Sequence, residues 1–247
     1  MFLLLIISAL IIGASLGLLG AGGSILTVPV LLFIMGLDEK QAIASSFIII
    51  ALISSVGGLK SLHQRMLNIK TLLWFALASF PLSAIGAYLG AIMPDGFQTQ
   101  ILIIVMFIAA AVMLSKRKPQ PGREVKVKYI LVAGCVSGLI TGLVGVGGGF
   151  IIVPALVIFA GLSMSFATAT SLALVTVNAV AAFAGLLITN ELPVIDWTVV
   201  IGMSVTGALA VIGGRGFAAK LPDKIIKKGF AILLLMIAVI TQVMIFI

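Results

Sequence analysis

Charged residues are scarce in this chain: Asp, Glu, Lys and Arg make up 9% of its 247 residues, whereas 62% are hydrophobic. Soluble domains contain about 25% charged residues. Most of the chain falls into apolar runs, many of them close to the roughly 20 residues that cross a bilayer as a helix. These runs lie near 2–36, 41–59, 71–93, 98–115, 129–161, 165–189, 196–214 and 229–247. The composition excludes a soluble catalytic domain and predicts an all-α polytopic protein of the inner (plasma) membrane.

The apolar runs contain no Asp, Glu, Lys or Arg deep inside them. Intramembrane proton relays and cation sites depend on such residues, so a carrier of metal cations is not expected. The single histidine, His63, lies in a basic loop, and a single cysteine, Cys135, excludes an intrachain disulfide. Because no catalytic or metal-ligating set is available, we predict no enzyme activity, no metal and no cofactor.

The basic residues are concentrated in three loops and give the chain a net charge of +8. Such loops orient a membrane protein by the positive-inside rule, so we predict that all three are cytoplasmic and that no nucleic acid is bound. Eight plain spans would place the second and third basic loops on opposite sides of the membrane, because three crossing segments separate them. The basic residues are Lys60, Arg65 and Lys70; Lys116, Arg117, Lys118, Arg123, Lys126 and Lys128; and Arg215, Lys220, Lys224, Lys227 and Lys228.

An internal repeat indicates that the chain is duplicated. Residues 17–37 (GLLGAGGSILTVPVLLFIMGL) recur as residues 142–162 (GLVGVGGGFIIVPALVIFAGL), with 10 identities in 21 positions that include five glycines and a proline. Later positions match as well, such as Ser46 with Ser171. We predict two homologous transmembrane repeats, residues 1–115 and 129–247, joined by a basic cytoplasmic linker at 116–128.

Run 129–161 is too long for one membrane helix, since its 33 residues would extend about 50 Å against a hydrocarbon core of about 30 Å. Glycine favours a break, because it costs a helix about 1 kcal/mol relative to alanine. Breaks at Gly145–Gly149 and at Gly20–Gly23 give five elements per half and up to ten helical elements. An odd number of elements per half predicts inverted repeats, with the basic loops on one side of the membrane and both termini outside. The alternative is eight plain spans in parallel halves.

The two glycine clusters are the candidate substrate site, since broken helices mark the binding sites of repeat-built transporters. The first N–H groups of the short helices led by Ser24 and Gly149 would bind an anion without a charged side chain. We predict that Pro29 and Pro154 kink or end these short helices. The alternative role of glycine is close helix packing, which we assign to the pairs Gly13-Gly17 and Gly134-Gly138. The predicted cradle comprises Gly20, Gly22, Gly23, Ser24, Gly145, Gly147, Gly148 and Gly149.

Polar side chains on the helices after each break are further candidates, because hydroxyls and amides donate to anionic oxygens. The alternative is that they bond to their own helix backbone. Arg215, at the mouth of run 196–214, is the cation closest to membrane depth and is predicted to attract or gate anions; its alternative role is to orient the chain or contact lipid phosphate. The polar candidates are Ser45, Ser46, Thr170, Ser171 and Asn178.

The segments GLLGAGGSILTVPVL at 17–31 and GLVGVGGGFIIVPAL at 142–156, the duplicated halves and the short basic linker resemble the TauE/SafE family of membrane transporters. The resemblance covers essentially the full chain and implies export or uptake of sulfur-containing oxyanions such as sulfite or organosulfonates. Ser24 stands where the second copy has Gly149, so the two cradles need not be equivalent.

We therefore expect a secondary transporter in the lipid bilayer, an exporter of small sulfur-containing oxyanions with a midplane site at the two breaks. The alternatives are an anion channel with the same residues in its pore and a non-transporting membrane scaffold subunit. Exposed GxxxG faces permit a homodimer.

Overall fold

The computed structural model of the chain describes residues 2–114, 127–146, 149–189, 193–218 and 222–246. The long helices of the first half are α1 (Phe2–Leu19), α3 (Glu39–His63), α4 (Ile69–Ala91) and α5 (Phe97–Leu114). Between α1 and α3 lies a composite short segment: a 3₁₀ helix at Gly20–Leu26, the α-helical turn α2 (Thr27–Pro29) and a π-helical turn at Val30–Ile34. The second half contains α6 (Val127–Val144), α7 (Gly149–Phe159), α8 (Met164–Leu187), α9 (Trp197–Ala218) and α10 (Asp223–Phe246).

Seven helices in the described part of the chain are long and apolar enough to cross a membrane: α1, α3, α4, α5, α6, α8 and α9. Two shorter apolar helical stretches, Gly23–Ile34 and Lys228–Met244, accompany them, and no strand occurs among these residues. Large apolar side chains such as Leu73, Leu77 and Leu209 are exposed, as expected where lipid surrounds the protein. The prediction of an all-α polytopic membrane protein with a glycine-broken segment in each half is confirmed.

The two halves of the chain pack closely against each other. The most extensive helix contacts, α1 with α9 and α4 with α6, join opposite halves. Glycine permits these contacts: a β-carbon at Gly13 would lie 2.2 Å from the carbonyl oxygen of Gly207, and one at Gly138 would lie 2.4 Å from that of Ser79. The GxxxG pairs are therefore used for packing between helices, as predicted.

The order of contacts along the helices gives their relative directions. Helices α1 and α3 are both parallel to α9, because residues further along either helix contact residues further along α9. The contacts are Leu5 with Gly202 and Gly17 with Val211 for α1, and Ile53 with Gly207 and Gly57 with Val211 for α3.

Helices α4, α6 and α8 form a second parallel set, which runs opposite to the first. The contacts within this set are Phe75 with Gly134 and Ser83 with Gly142 between α4 and α6, and Ser79 with Asn178 and Ala84 with Gly185 between α4 and α8. The opposite direction follows from α3 and α8, where Ser54 contacts Thr176 but Gly57, further along α3, contacts the earlier residue Leu172 of α8.

Each of these helices therefore runs against its counterpart in the other half: α1 against α6, α3 against α8, and α4 against α9. This is the inverted arrangement that five elements per half predicts. The last residues of α3 and of α9 consequently lie at one end of the bundle, where α6 also begins. Helices α3 and α8 are the most enclosed of the long helices, and the Ser54 and Thr176 hydroxyls meet between them at 3.0 Å.

Candidate functional site

Two glycines reverse the chain where α1 and α6 end. Gly20 has a φ of +68° and Gly145 a φ of +78°, in the left-handed region that glycine adopts at low cost. The Gly145 N–H donates to the carbonyl of Thr141 at 3.1 Å, which closes the last turn of α6. Each reversal sends the chain into the short segment of its half.

The first break is wound more tightly than the glycine cluster predicts. The chain continues from Gly20 to Leu26 as a 3₁₀ helix instead of unwinding before an α-helix led by Ser24. This segment packs closely against α1, since a β-carbon at Gly23 would lie 2.2 Å from the backbone nitrogen of Leu16. The first short helix predicted to be led by Ser24 is thus present but begins as a 3₁₀ helix at Gly20, whereas in the second half α7 begins at Gly149 as predicted.

Serine hydroxyls of the first half satisfy the backbone of the second break. The Ser24 hydroxyl donates to the carbonyl of Val146 at 2.6 Å, and the Ser46 hydroxyl lies within hydrogen-bonding reach of the carbonyls of Gly145 and Ile43. One hydroxyl proton serves only one of these two carbonyls at a time. Irregular backbone at membrane depth requires such partners. The Ser24 hydroxyl therefore joins the two breaks, and the Ser46 hydroxyl joins the second break to α3.

Each glycine turn contacts the central helix of the opposite half. A β-carbon at Gly20 would lie 2.7 Å from Oγ of Ser171 and 2.7 Å from Cα of Thr168, both on α8. A β-carbon at Gly145 would lie 2.6 Å from Cγ2 of Ile43 on α3. The two turns thus occupy pseudo-symmetric positions on the two central helices.

Arg215 is buried beside the first glycine turn. The sequence predicted only that it lies at the mouth of run 196–214, which forms α9. It is only 3% exposed. Its Nη1 lies 3.5 Å from Oγ1 of Thr168 and its Nη2 lies 3.8 Å from Sδ of Met66, while Nε has no hydrogen-bond partner among the described residues. The ion pair found within those residues joins Lys40 to Asp95, at 4.0 Å. The guanidinium charge therefore has no counter-ion in the part of the chain that is described.

Asn178 lies in a buried polar group between α8 and α4. Its Oδ1 accepts a hydrogen bond of 2.6 Å from the Ser79 hydroxyl. Its Nδ2 and the hydroxyl of Ser83 are both buried without a partner among the described residues. Ser79 and Ser83 are not among the residues predicted from the sequence, although their spacing of four residues places them on one face of a helix.

The other predicted hydroxyls are distributed over different places. Thr170 Oγ1 accepts a 3.2 Å hydrogen bond from the backbone N–H of Asn68, in the loop before α4. The Ser171 hydroxyl donates to the Thr168 carbonyl at 2.9 Å and faces Gly20. Ser45 is buried, and its hydroxyl has no partner within the described ranges. Ser171 is thus brought to a glycine turn, whereas Thr170 is not.

The two prolines differ in their effect on the short segments. Pro29 is the last residue of α2 and leads into the π-helical turn. Pro154 lies within α7 and does not end this helix, because α7 continues to Phe159. Of the predicted glycines, Gly22 belongs to the 3₁₀ helix, and Gly147 and Gly148 lie outside the described residues.

Comparison with known proteins agrees with this architecture. The family described as "Sulfite exporter TauE/SafE" matches residues 5–241. The chain belongs to the TauE/SafE family of membrane transporters. Family membership therefore covers both inverted halves and both glycine turns.

Relatives of this chain are named as membrane transporters. The probable membrane transporter protein YunE of Bacillus subtilis is 26% identical over 92% of this chain and 89% of its own length. A probable membrane transporter protein of Xylella fastidiosa is 27% identical over 93% and 90%, respectively. The probable membrane transporter protein MJ0441 of Methanocaldococcus jannaschii is 28% identical over 63% and 62%. No solved structure matches the chain significantly.

Proposed function

We propose that this TauE/SafE transporter is a secondary carrier that exports a small sulfur-containing oxyanion, such as sulfite or an organosulfonate. The observation that carries the proposal is the meeting of the two breaks, where Ser24 of one short segment bonds to Val146 of the other turn. Each turn also rests on the central helix of the opposite half. A site at this meeting point is shared by both halves, as in other carriers built from inverted repeats.

The groups around the two turns favour an anion over a cation. The Arg215 guanidinium beside the Gly20 turn and the Asn178 amide further along α8 both carry N–H donors without a partner among the described residues. Every described Asp and Glu lies in a loop or in the first turn of a helix, so no described carboxylate reaches the middle of the bundle. An oxyanion accepts several hydrogen bonds at once and gains most from donors that are charged.

We further propose the orientation and extent of the transporting unit. The end of the bundle with the basic loops faces the cytoplasm, by the positive-inside rule, and both termini lie outside. The repeats extend over residues 1–115 and 129–247, and the linker 116–128 is cytoplasmic. The protein resides in the plasma membrane. The GxxxG faces do not support the expected homodimer, because Gly13, Gly17, Gly134 and Gly138 are buried between helices of one chain.

Flux into liposomes that contain the purified protein tests the proposal. The panel is sulfite, sulfate, thiosulfate and sulfoacetate, with zwitterionic taurine and a divalent cation as controls. Saturable flux of one sulfur oxyanion, without cation flux, is the expected result. Cation flux without anion flux would overturn the proposal.

Two further measurements separate this carrier from other membrane proteins. Unitary currents in planar bilayers would indicate a channel, because a carrier moves only a few ions per conformational cycle. Stabilisation of the purified protein by an oxyanion, measured as a rise in melting temperature, is expected for a binding protein. A scaffold subunit would show neither flux nor stabilisation.

A further inference from the structure

We propose that Arg215 is the residue that binds the anion's charge, at the Gly20 turn, and that the two glycine turns are therefore unequal. The inference rests on the proposed function and identifies one of its binding groups. The ligand class is a small oxyanion that presents two or more oxygens to a planar guanidinium. The Gly145 turn would contact the same ligand only through neutral groups.

The guanidinium of Arg215 is nearly unsatisfied. An arginine has five N–H donors, yet this one has two long contacts, 3.5 Å to Thr168 Oγ1 and 3.8 Å to Met66 Sδ. Normal N–H···O hydrogen bonds are about 2.7–3.2 Å long. Its Nε has no partner within the described part of the chain, although the residue is only 3% exposed.

A buried arginine without a counter-ion is expensive inside a membrane protein. Removing such a charge from water costs several kcal/mol, which an opposite charge with good hydrogen bonds can offset. The ion pair found among the described residues joins Lys40 to Asp95, so no carboxylate is seen to pair with Arg215 there. A bound oxyanion would supply both the negative charge and the acceptors.

The surroundings of Arg215 are suited to such a ligand. The Thr168 hydroxyl lies within reach of Nη1 and at present donates to the Ser165 carbonyl at 3.0 Å. Gly20 approaches Thr168 and Ser171 so closely that a β-carbon would lie 2.7 Å from each. A glycine there brings the backbone of the first turn, two hydroxyls and the guanidinium into one small volume.

The corresponding position in the other half has no charge. Gly214 aligns with Gly86, and Pro222-Asp223 aligns with Pro94-Asp95, so Arg215 corresponds to Ala87. The inverted repeat therefore contains one buried cation, not two, among the residues that the structure describes. It lies towards the end of the bundle that carries the basic loops, since it follows most of α9. An anion arriving from that end would meet the charge before it meets the neutral Gly145 turn.

Substitution of Arg215 in the purified full-length protein tests the inference. Arg215→Gln keeps amide donors but removes the charge, whereas Arg215→Lys keeps the charge but not the planar guanidinium. The control is Lys70→Gln, which removes an exposed cation at the same end of the bundle. The measurement is the dissociation constant for sulfite and sulfoacetate, from ligand-dependent melting temperature. We expect Arg215→Gln to weaken binding at least about tenfold, from the worth of hydrogen bonds to charged groups. Arg215→Lys should weaken it less, and Lys70→Gln by less than about twofold.

The ligand-free melting temperature gives an independent readout. If Arg215 serves folding alone, Arg215→Gln should lower the ligand-free melting temperature. If Arg215 binds a ligand instead, the variant should melt at the same or a higher temperature, because an uncompensated charge has been removed. Unchanged sulfite affinity in Arg215→Gln would overturn the inference and leave the proposed function standing. Failure of every oxyanion to stabilise the wild-type protein would overturn the proposed function itself.

A second variant covers the case in which Arg215→Gln is not recovered folded. Thr168→Val removes the hydroxyl next to Nη1 and preserves both shape and charge. A several-fold loss of oxyanion affinity supports the inference, since the hydroxyl and the guanidinium would share the ligand. Unchanged affinity in Thr168→Val would count against it.

Discussion

Replacing Gly20 by alanine measures how closely the first turn must approach α8. The matched control is Gly36→Ala, because Gly36 has nearly the same φ, +70° against +68°, but a β-carbon at Gly36 would have no heavy atom within 4 Å. Both variants incur the cost of a left-handed alanine, roughly 1–2 kcal/mol. Any effect on the unfolded chain is similar in the two, since both are glycine-to-alanine changes.

The difference between the two variants comes from contacts. A β-carbon at Gly20 would lie 2.7 Å from Ser171 Oγ and from two backbone atoms of Thr168, which belong to a central helix and do not rotate away. Overpacking of this kind costs typically about 1–3 kcal/mol. We therefore expect Gly20→Ala to be destabilised by about 2–5 kcal/mol and Gly36→Ala by about 1–2 kcal/mol.

Unfolding in detergent micelles and oxyanion flux in liposomes measure the two consequences. Gly20→Ala should unfold at a lower denaturant concentration than Gly36→Ala and should lose flux, whereas Gly36→Ala should keep it. Equal destabilisation of the two variants would refute the reasoning, because the close contact with α8 would then have no energetic effect. Normal flux in a folded Gly20→Ala protein would remove the first turn from the proposed site.

Two further predictions concern the second turn and the buried amide. Gly145→Ala should be destabilised by less than Gly20→Ala, because a β-carbon at Gly145 would meet the side chain of Ile43 rather than backbone. The control is Gly96→Ala, where a β-carbon would have open space around it. A larger loss of stability for Gly145→Ala than for Gly20→Ala in the same micelle assay would contradict this. Asn178→Leu should weaken oxyanion binding by about tenfold or more, the worth of a hydrogen bond to a charged group. It should also lower the melting temperature, because the buried Ser79 hydroxyl loses its acceptor. Unchanged affinity in that variant would restrict Asn178 to helix packing.

The number and inversion of the elements could be predicted from the sequence because both depend on simple lengths and charges. Run 129–161 exceeds one membrane thickness, and the glycines at its middle indicate where it must break. The basic loops then allow only an odd number of elements per half. These arguments need no knowledge of which helices touch.

The details of the site could not be predicted, because they depend on contacts between distant parts of the chain. The first break is 3₁₀-helical and Gly23 lies against Leu16, neither of which the glycine pattern reveals. The burial of Arg215 results from its contacts with Thr168 and Met66, which lie 47 and 149 positions away. A sequence reveals a cation at the end of an apolar run, but not whether another helix covers it.

The interlocked packing of the two halves limits how this carrier can move. Rocking one sequence half against the other would separate α1 from α9 and α4 from α6, the most extensive helix contacts in the described structure. The helices are too close to slide freely there, since a β-carbon at Gly142 would lie 2.1 Å from the Ser83 carbonyl oxygen. Packed interfaces tend to switch between discrete arrangements or remain intact. We therefore expect the moving bodies to combine helices from both halves.

Cross-linking in a Cys135→Ser background tests this expectation. Leu5→Cys with Gly202→Cys, joined by a short thiol-specific reagent, ties α1 to α9 and should leave oxyanion flux unchanged. Ser54→Cys with Thr176→Cys, at hydroxyls 3.0 Å apart, should form a disulfide when a mild oxidant is added. This bond ties α3 to α8 at the centre and should stop flux until a reductant is added. If the link between α1 and α9 also stops flux, the two sequence halves move as separate bodies. The α1–α9 contact would then have to open during transport, despite the glycines that bring these helices so close.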